Sequence, residues 1–152
     1  MSDKQFKLTV VSPDKNLLVD IPVSAVGARG TEGDFTAMPG HIPFLTDLKP
    51  GELWYRTNEG AHKMVSVSGG FIEVLPQKVT VLADSCELPG EIDEERANRA
   101  KQRAEIKIKR AHELAAKGLL TTSDEAELRR AEIKLNRAMA RLKFIDKYRS
   151  RR

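Results

Sequence analysis

Two rows of basic side chains hold most of the chemical potential of this 152-residue chain. Arg96, Arg99, Arg103, Lys107 and Arg110 recur at steps of three and four, and Arg130, Lys134, Arg137 and Arg141 repeat the pattern further on. On a helix such steps align on one side. If the two helices pair antiparallel, Arg96 and Arg103 near the start of one approach Arg137 and Arg141 near the end of the other. Four guanidiniums brought together repel unless an anion lies between them. The planar arginine fork suits bidentate contact with phosphate. Asp93, three residues before Arg96, is placed either to orient it or to accept from a ligand hydroxyl or amine. In a plainer reading, Asp93 and Glu94 simply suit the positive end of a helix dipole.

Other chemistry is hard to find. His41, His62 and His112 show no metal-ligand spacing, alone or with Cys86. No Gly-x-Ser-x-Gly elbow or other nucleophile signature occurs. Glycines recur every third residue in a loop read over Gly27–Pro43, but no Gly-Lys-Ser/Thr follows, so turns explain them better than a phosphate loop. Pro39-Gly40-His41 predicts a sharp turn that sets His41 at a surface corner. The sequence makes no case for catalysis, for a metal or for a resident cofactor.

The elements that position the basic rows begin after Pro89-Gly90. From there to Phe144 the chain has neither proline nor aromatic residue, and Gly118 is its one glycine. Ala97, Ala104, Ala111 and Gly118 stand seven apart, with Ala100 and Leu114 between them; Leu128, Ala131, Leu135, Ala138, Leu142 and Ile145 step by three and four. These are coiled-coil seams, the first built from very small side chains. Gly118 ends one helix, and Thr122 or Ser123 caps the next. The prediction is an antiparallel helical hairpin over residues 91–149, with helices at about 91–117 and 123–149. A seam of alanine buries little apolar area, so the hairpin is weakly packed and reads either as an arm that can open or as a permanently closed one.

Residues 1–88 read as a β-sandwich. Phe6, Leu8 and Val10 alternate with Lys7 and Thr9, and Ile21, Val23 and Ala25 repeat the period. Two hairpins are predicted around Asn58-Glu59-Gly60 and Pro76-Gln77, and Gly69-Gly70 predicts a bulge or tight corner. The fold class is therefore β plus α, a docking body followed by a helical arm. Charge divides along the same line. Residues 1–86 hold 8 Lys/Arg against 10 Asp/Glu, whereas residues 87–152 hold 18 against 12. Such an arm suits an acidic partner or, in the plainer reading, is a solvated helix face. Nucleic acid is the alternative reading, but no aromatic side chains interleave with the basic rows for base stacking. The longest apolar run is far short of a membrane span, and Met1–Gln5 has no apolar signal core.

Four stretches point to one family. The Pro39-Gly40-His41-Ile42-Pro43 corner, the Ser68–Val74 and Val79–Asp84 runs, and Arg130–Leu142 follow in order over nearly the whole chain. Together they resemble the ε subunit of the bacterial F-type rotary ATP synthase. The resemblance implies a non-catalytic coupling and regulatory subunit, peripheral on the cytoplasmic face of the bacterial plasma membrane. It implies a sandwich that binds the γ subunit and the ring of c subunits, with Asp34 and His41 at the ring-facing corner. It implies an arm that leaves the body to inhibit ATP hydrolysis, meeting an acidic loop of the β subunit when extended. Some members bind ATP on the closed hairpin through an Ile/Leu-Asp-x-x-Arg-Ala motif, matched here by Ile92, Asp93, Arg96 and Ala97. Glu87, Arg103, Arg137 and Arg141 fall where such members place further contacts, so regulatory ATP is an expected ligand. After Asp34-Phe35 the chain has Thr36-Ala37, where the family usually has glycine and an aliphatic residue.

Overall fold

Alternating burial builds the first half of the chain. The computed structural model describes residues 5–152; Met1–Lys4, most of the stretch read as lacking a signal core, lie outside it. In β1 (Phe6–Val11), Phe6, Leu8 and Val10 are buried and Lys7 is exposed. Eight further strands follow: β2 (Asn16–Gly30), β3 (Gly33–Ala37), β4 (Phe44–Leu48), β5 (Gly51–Thr57), β6 (His62–Val67), β7 (Gly70–Leu75), β8 (Lys78–Ala83) and β9 (Cys86–Glu87). They pair in the order β1-β8-β7-β4-β2-β5-β6-β9, with β3 on β2. β1 also pairs with β2, so the ladder returns on itself. The long β2 serves both layers of this β-sandwich, meeting β1 through its first half and β3 and β5 through its second. Leu8, Val10, Val23, Val26, Leu53, Val65, Ile72 and Val81 fill the space between.

Both expected hairpins are present. β5 and β6 pair on either side of Asn58-Glu59-Gly60, and β7 and β8 are joined through Pro76-Gln77. The stretch expected as a loop over Gly27–Pro43 is mostly strand: Val26 to Gly30 pair antiparallel with Ala37 to Gly33. Glycine suggested turns there, but Gly27 is buried within β2 because another side chain needs its space. A Cβ on Gly27 would lie 2.1 Å from the Trp54 indole. The Gly69-Gly70 corner is as expected. Both residues have left-handed φ, +100° and +117°, and a Cβ on Gly70 would lie 2.1 Å from the Leu82 carbonyl oxygen.

A short 3-10 turn, Pro89–Glu91, joins body to arm. Glu91 Oε2 accepts from the Leu88 backbone N–H at 2.8 Å and from Lys15 Nζ at 2.9 Å. These contacts, the backbone one foremost, hold the Glu91 carboxyl below the usual range. Helix α1 (Glu94–Ala116) then starts on Asp93, whose Oδ1 accepts from the Arg96 N–H at 2.9 Å. Helix α2 (Thr122–Ser150) is capped by Thr121 rather than Thr122 or Ser123. The reason is reciprocal bonding at a spacing of three: Thr121 Oγ1 accepts from the Asp124 N–H, and Asp124 Oδ2 accepts from the Thr121 N–H. The connection between helices is correspondingly short.

Along the hairpin the seam is alanine. Ala97, Ala104 and Ala111 of α1 and Ala131 and Ala138 of α2 are buried, while Leu114, Leu128, Leu135 and Leu142 are half-buried. Lys107–Glu127 at 2.9 Å and Arg149–Glu94 at 2.6 Å cross between the antiparallel helices. The large buried side chains of the arm sit at its far end, where Phe144 and Ile145 are 3% and 7% exposed and α2 packs on β5 and β6.

Gly70→Ala must strain the backbone and displace Leu82, so it should cost about 2–3 kcal/mol and lower Tm by roughly 4–10 °C. Gly90→Ala, with open space around its Cβ position, should leave Tm nearly unchanged in the same calorimetric scan. Phe144→Ala should weaken arm docking by about 3–5 kcal/mol. Hydrogen exchange should then rise across α1 and α2 while the β7–β8 core stays protected; uniform loss of protection would contradict this division.

Candidate functional site: a cationic groove between the helices

The two basic rows do converge, along with part of the expected site. A groove of about 560 Å³ runs between α1 and α2, lined by Arg103 and Lys107 on one side and Arg130, Lys134, Arg137 and Arg141 on the other. Its floor is the alanine seam, Ala100, Ala104, Ala131 and Ala138. Small side chains make the groove: any longer residue at those positions would fill it. Ser85, just after β8, closes one end from the body.

Charge balance in the groove differs from the expected cluster of four mutually repelling arginines. Arg137 Nη2 lies 3.1 Å from Asp84 Oδ2. Arg141 Nε donates to Glu87 Oε1 at 2.6 Å, with Ser85 Oγ 3.4 Å from its Nη2. Lys107 donates to Glu127 and holds that carboxyl below its usual range. No carboxylate among the described residues forms an ion pair with Arg103, Arg130 or Lys134. The body thus neutralises two cations at the inner end, and three remain for an external anion.

The expected motif Ile92–Ala97 stands apart from the groove lining. Asp93 is engaged as the helix cap, so the plainer reading of that residue describes its contact here. Ile92 is half-buried, Arg96 is exposed and Ala97 is buried in the seam. None of the four is among the groove's lining residues. Glu87 reaches the groove through Arg141 alone. Asp84 and Ser85 were not singled out from the sequence. Their signal was the turn after β8, which places short polar side chains opposite a basic helix face.

Asp34 and His41 of the expected corner form no ion pair or hydrogen bond with each other among the described residues. Asp34 on β3 lies 3.5 Å from Arg29 and lines a cleft beneath α2. His41 sits in the turn before β4, its N–H donating to the Met38 carbonyl at 3.0 Å, as the Pro-Gly-His pattern predicts. Its ring meets Phe44 edge-on at 6.3 Å. Met38, Ile42, Phe44 and Leu45 make the surroundings of His41 an exposed apolar corner. Among the described residues no group of three or more His, Cys, Asp or Glu side chains is placed to hold a metal ion.

Comparison with known proteins agrees with this architecture piece by piece. The β-sandwich domain of the ATP synthase delta/epsilon chain matches residues 5–89, and the long alpha-helix domain of the same chain matches residues 91–146. The ATP synthase epsilon chain of Syntrophobacter fumaroxidans is 43% identical over 144 residues, covering 95% of this chain and 98% of its own. That of Bacillus velezensis is 38% identical over 139 residues, covering 91% and 96%. Among solved structures, a chain of the Euglena gracilis mitochondrial ATP synthase superposes with a TM-score of 0.74 at 26% identity, covering 92% of this chain and 81% of that one. With both domains matched in order and relatives similar almost end to end, the chain belongs to the ATP synthase epsilon-chain family, whose members are subunits of the rotary ATP synthase.

Proposed function

We propose that this chain is a non-catalytic central-stalk subunit that couples the rotor to the catalytic head and restrains ATP hydrolysis through its arm. The sandwich is the docking body. Its exposed apolar corner around His41 suits the c-subunit ring, and a broader face of the body suits the γ subunit. The hairpin is a two-state element. Closed, it lies on β5 and β6 as described above; extended, its basic α2 meets an acidic loop of the β subunit and blocks rotation in the hydrolytic direction. No helix among the described residues is long and apolar enough to cross a membrane. The chain would therefore sit peripherally, on the cytoplasmic face of a bacterial plasma membrane, held by these partners.

The observation that carries the reading is the composition of the closed arm. Its seam is alanine, and its groove presents Arg103, Arg130 and Lys134 with no ion-pair partner among the described residues. ATP is the regulatory ligand proposed for that groove, its phosphates replacing water around these cations. Arg137 and Arg141 already tie the groove to Asp84 and Glu87, so nucleotide and body would hold the same two arginines. A ligand favours the closed arm only through higher affinity for it.

Titration calorimetry separates the parts of this proposal. MgATP should bind the wild type, and Arg103→Ala should weaken binding at least tenfold because Arg103 has no body partner to lose. Arg137→Ala should weaken both nucleotide binding and arm closure, the latter read from exchange at Arg141–Ile145. Equal, negligible heats for all three proteins would remove nucleotide sensing and leave the mechanical role standing. Added to a catalytic head that lacks its own such subunit, the full chain should suppress ATP hydrolysis, and a version ending at residue 90 should not.

A further inference from the structure

Beyond the groove, the last turns of α2 cross the outer face of β5 and β6. Lys147 and Arg151, one helical turn apart, both reach Glu52 of β5. Arg151 Nη1 lies 3.5 Å from Glu52 Oε1 and 3.2 Å from Met64 Sδ, while Lys147 Nζ meets Oε2. The Glu52 side chain is 10% exposed, the least of any carboxylate in an ion pair among the described residues; Glu87 follows at 23%. Its Oε2 is buried with no formed hydrogen bond, so the ammonium beside it is its compensation.

The surroundings show why this carboxylate depends on the arm. Trp54, two residues along the same face of β5, stacks on His62 with ring centres 4.9 Å apart. Burial foremost, and then the positive charge of Arg151, push the His62 pKa down, against the opposing pull of Glu52. Phe144 closes the same cleft. A carboxylate dried by α2 is tolerated when α2 also brings counter-charge. Either cation alone would leave one oxygen poorly matched; two cations at i and i+4 serve both.

We propose that Glu52 is a latch: by holding Lys147 and Arg151 together it sets the resting position of the arm without any nucleotide. The latch acts at the end of α2, whereas Asp84 and Glu87 act in the groove. The proposal rests on the arm being a two-state element. Nucleotide would then tune an equilibrium whose baseline Glu52 determines.

The test is a distance distribution from paired spin labels on the full chain without nucleotide, at Asn58 in the β5–β6 turn and at Glu125 near the hairpin tip. Native Cys86 is buried and burial raises its thiol pKa, so it takes little label. Glu52→Gln keeps the shape and removes the charge; it should raise the ratio of open to closed arm about tenfold. Glu59→Gln, in an exposed turn, should not change it. In a Lys147→Gln, Arg151→Gln background, Glu52→Gln should add little further opening. If Glu52→Gln fails to fold, the Lys147→Gln, Arg151→Gln protein gives the same readout from the arm side. Opening in Phe144→Ala with none in Glu52→Gln or the double variant overturns the latch and keeps the mobile arm. An arm closed in every variant, Phe144→Ala included, overturns both.

Discussion

The constraint on which the structure depends is the size of one side chain. Alanine along the facing surfaces of α1 and α2 brings the helices together while burying little apolar area for each residue placed there. Two consequences follow from one choice. The helices form a regular hairpin of roughly 35 and 43 Å at 1.5 Å per residue, from the 23 and 29 residues they contain. The seam also leaves a trough in which the long basic side chains stand on either side of a shallow apolar floor. A leucine seam would hold the helices more tightly and erase the trough.

Because the seam is weak, attachment to the body falls to discrete points. One is apolar, Phe144 and Ile145 against β5 and β6. The others are ionic: Asp84 and Glu87 on Arg137 and Arg141, and Glu52 on Lys147 and Arg151. Exposed ion pairs contribute roughly 0–1 kcal/mol each, so Arg137–Asp84 adds little by itself. The less exposed Arg141–Glu87 and Glu52 contacts matter more, because their carboxylates have given up water. An arm tied at separate points responds to changes at each of them. That is the physical basis of the proposal that a ligand in the groove biases the arm.

The sequence disclosed much of this, unevenly. Period-two alternation identified β1, and small residues at heptad spacing identified the hairpin, because burial on one face leaves the same mark whatever lies opposite. Thr121 caps α2 through the Thr121-x-x-Asp124 spacing, although Thr122 and Ser123 offer the same hydroxyl chemistry at adjacent positions and spacing alone does not choose among them. The supposed Gly27–Pro43 loop failed for a different reason. Glycine marks either a turn or a place where something lies close, and at Gly27 it was the Trp54 ring, a neighbour on another strand. In the Ile92–Ala97 motif Asp93 caps its own helix, one of the roles its spacing offers.

Local spacing by itself determined most of the elements, the two-part division, the charge asymmetry and the presence of two basic rows, since each depends on residues close together along the chain. Only the tertiary structure decided which charges have partners. Arg137 and Arg141 meet acids more than fifty positions earlier, and Arg151 meets Glu52 across 99. No periodicity encodes such pairings, because they arise where α2 comes to rest on β5 and β6. Whether an arginine is free for an anion or already spent on a carboxylate is set by that docking, and so the groove and the latch became visible only in the folded chain.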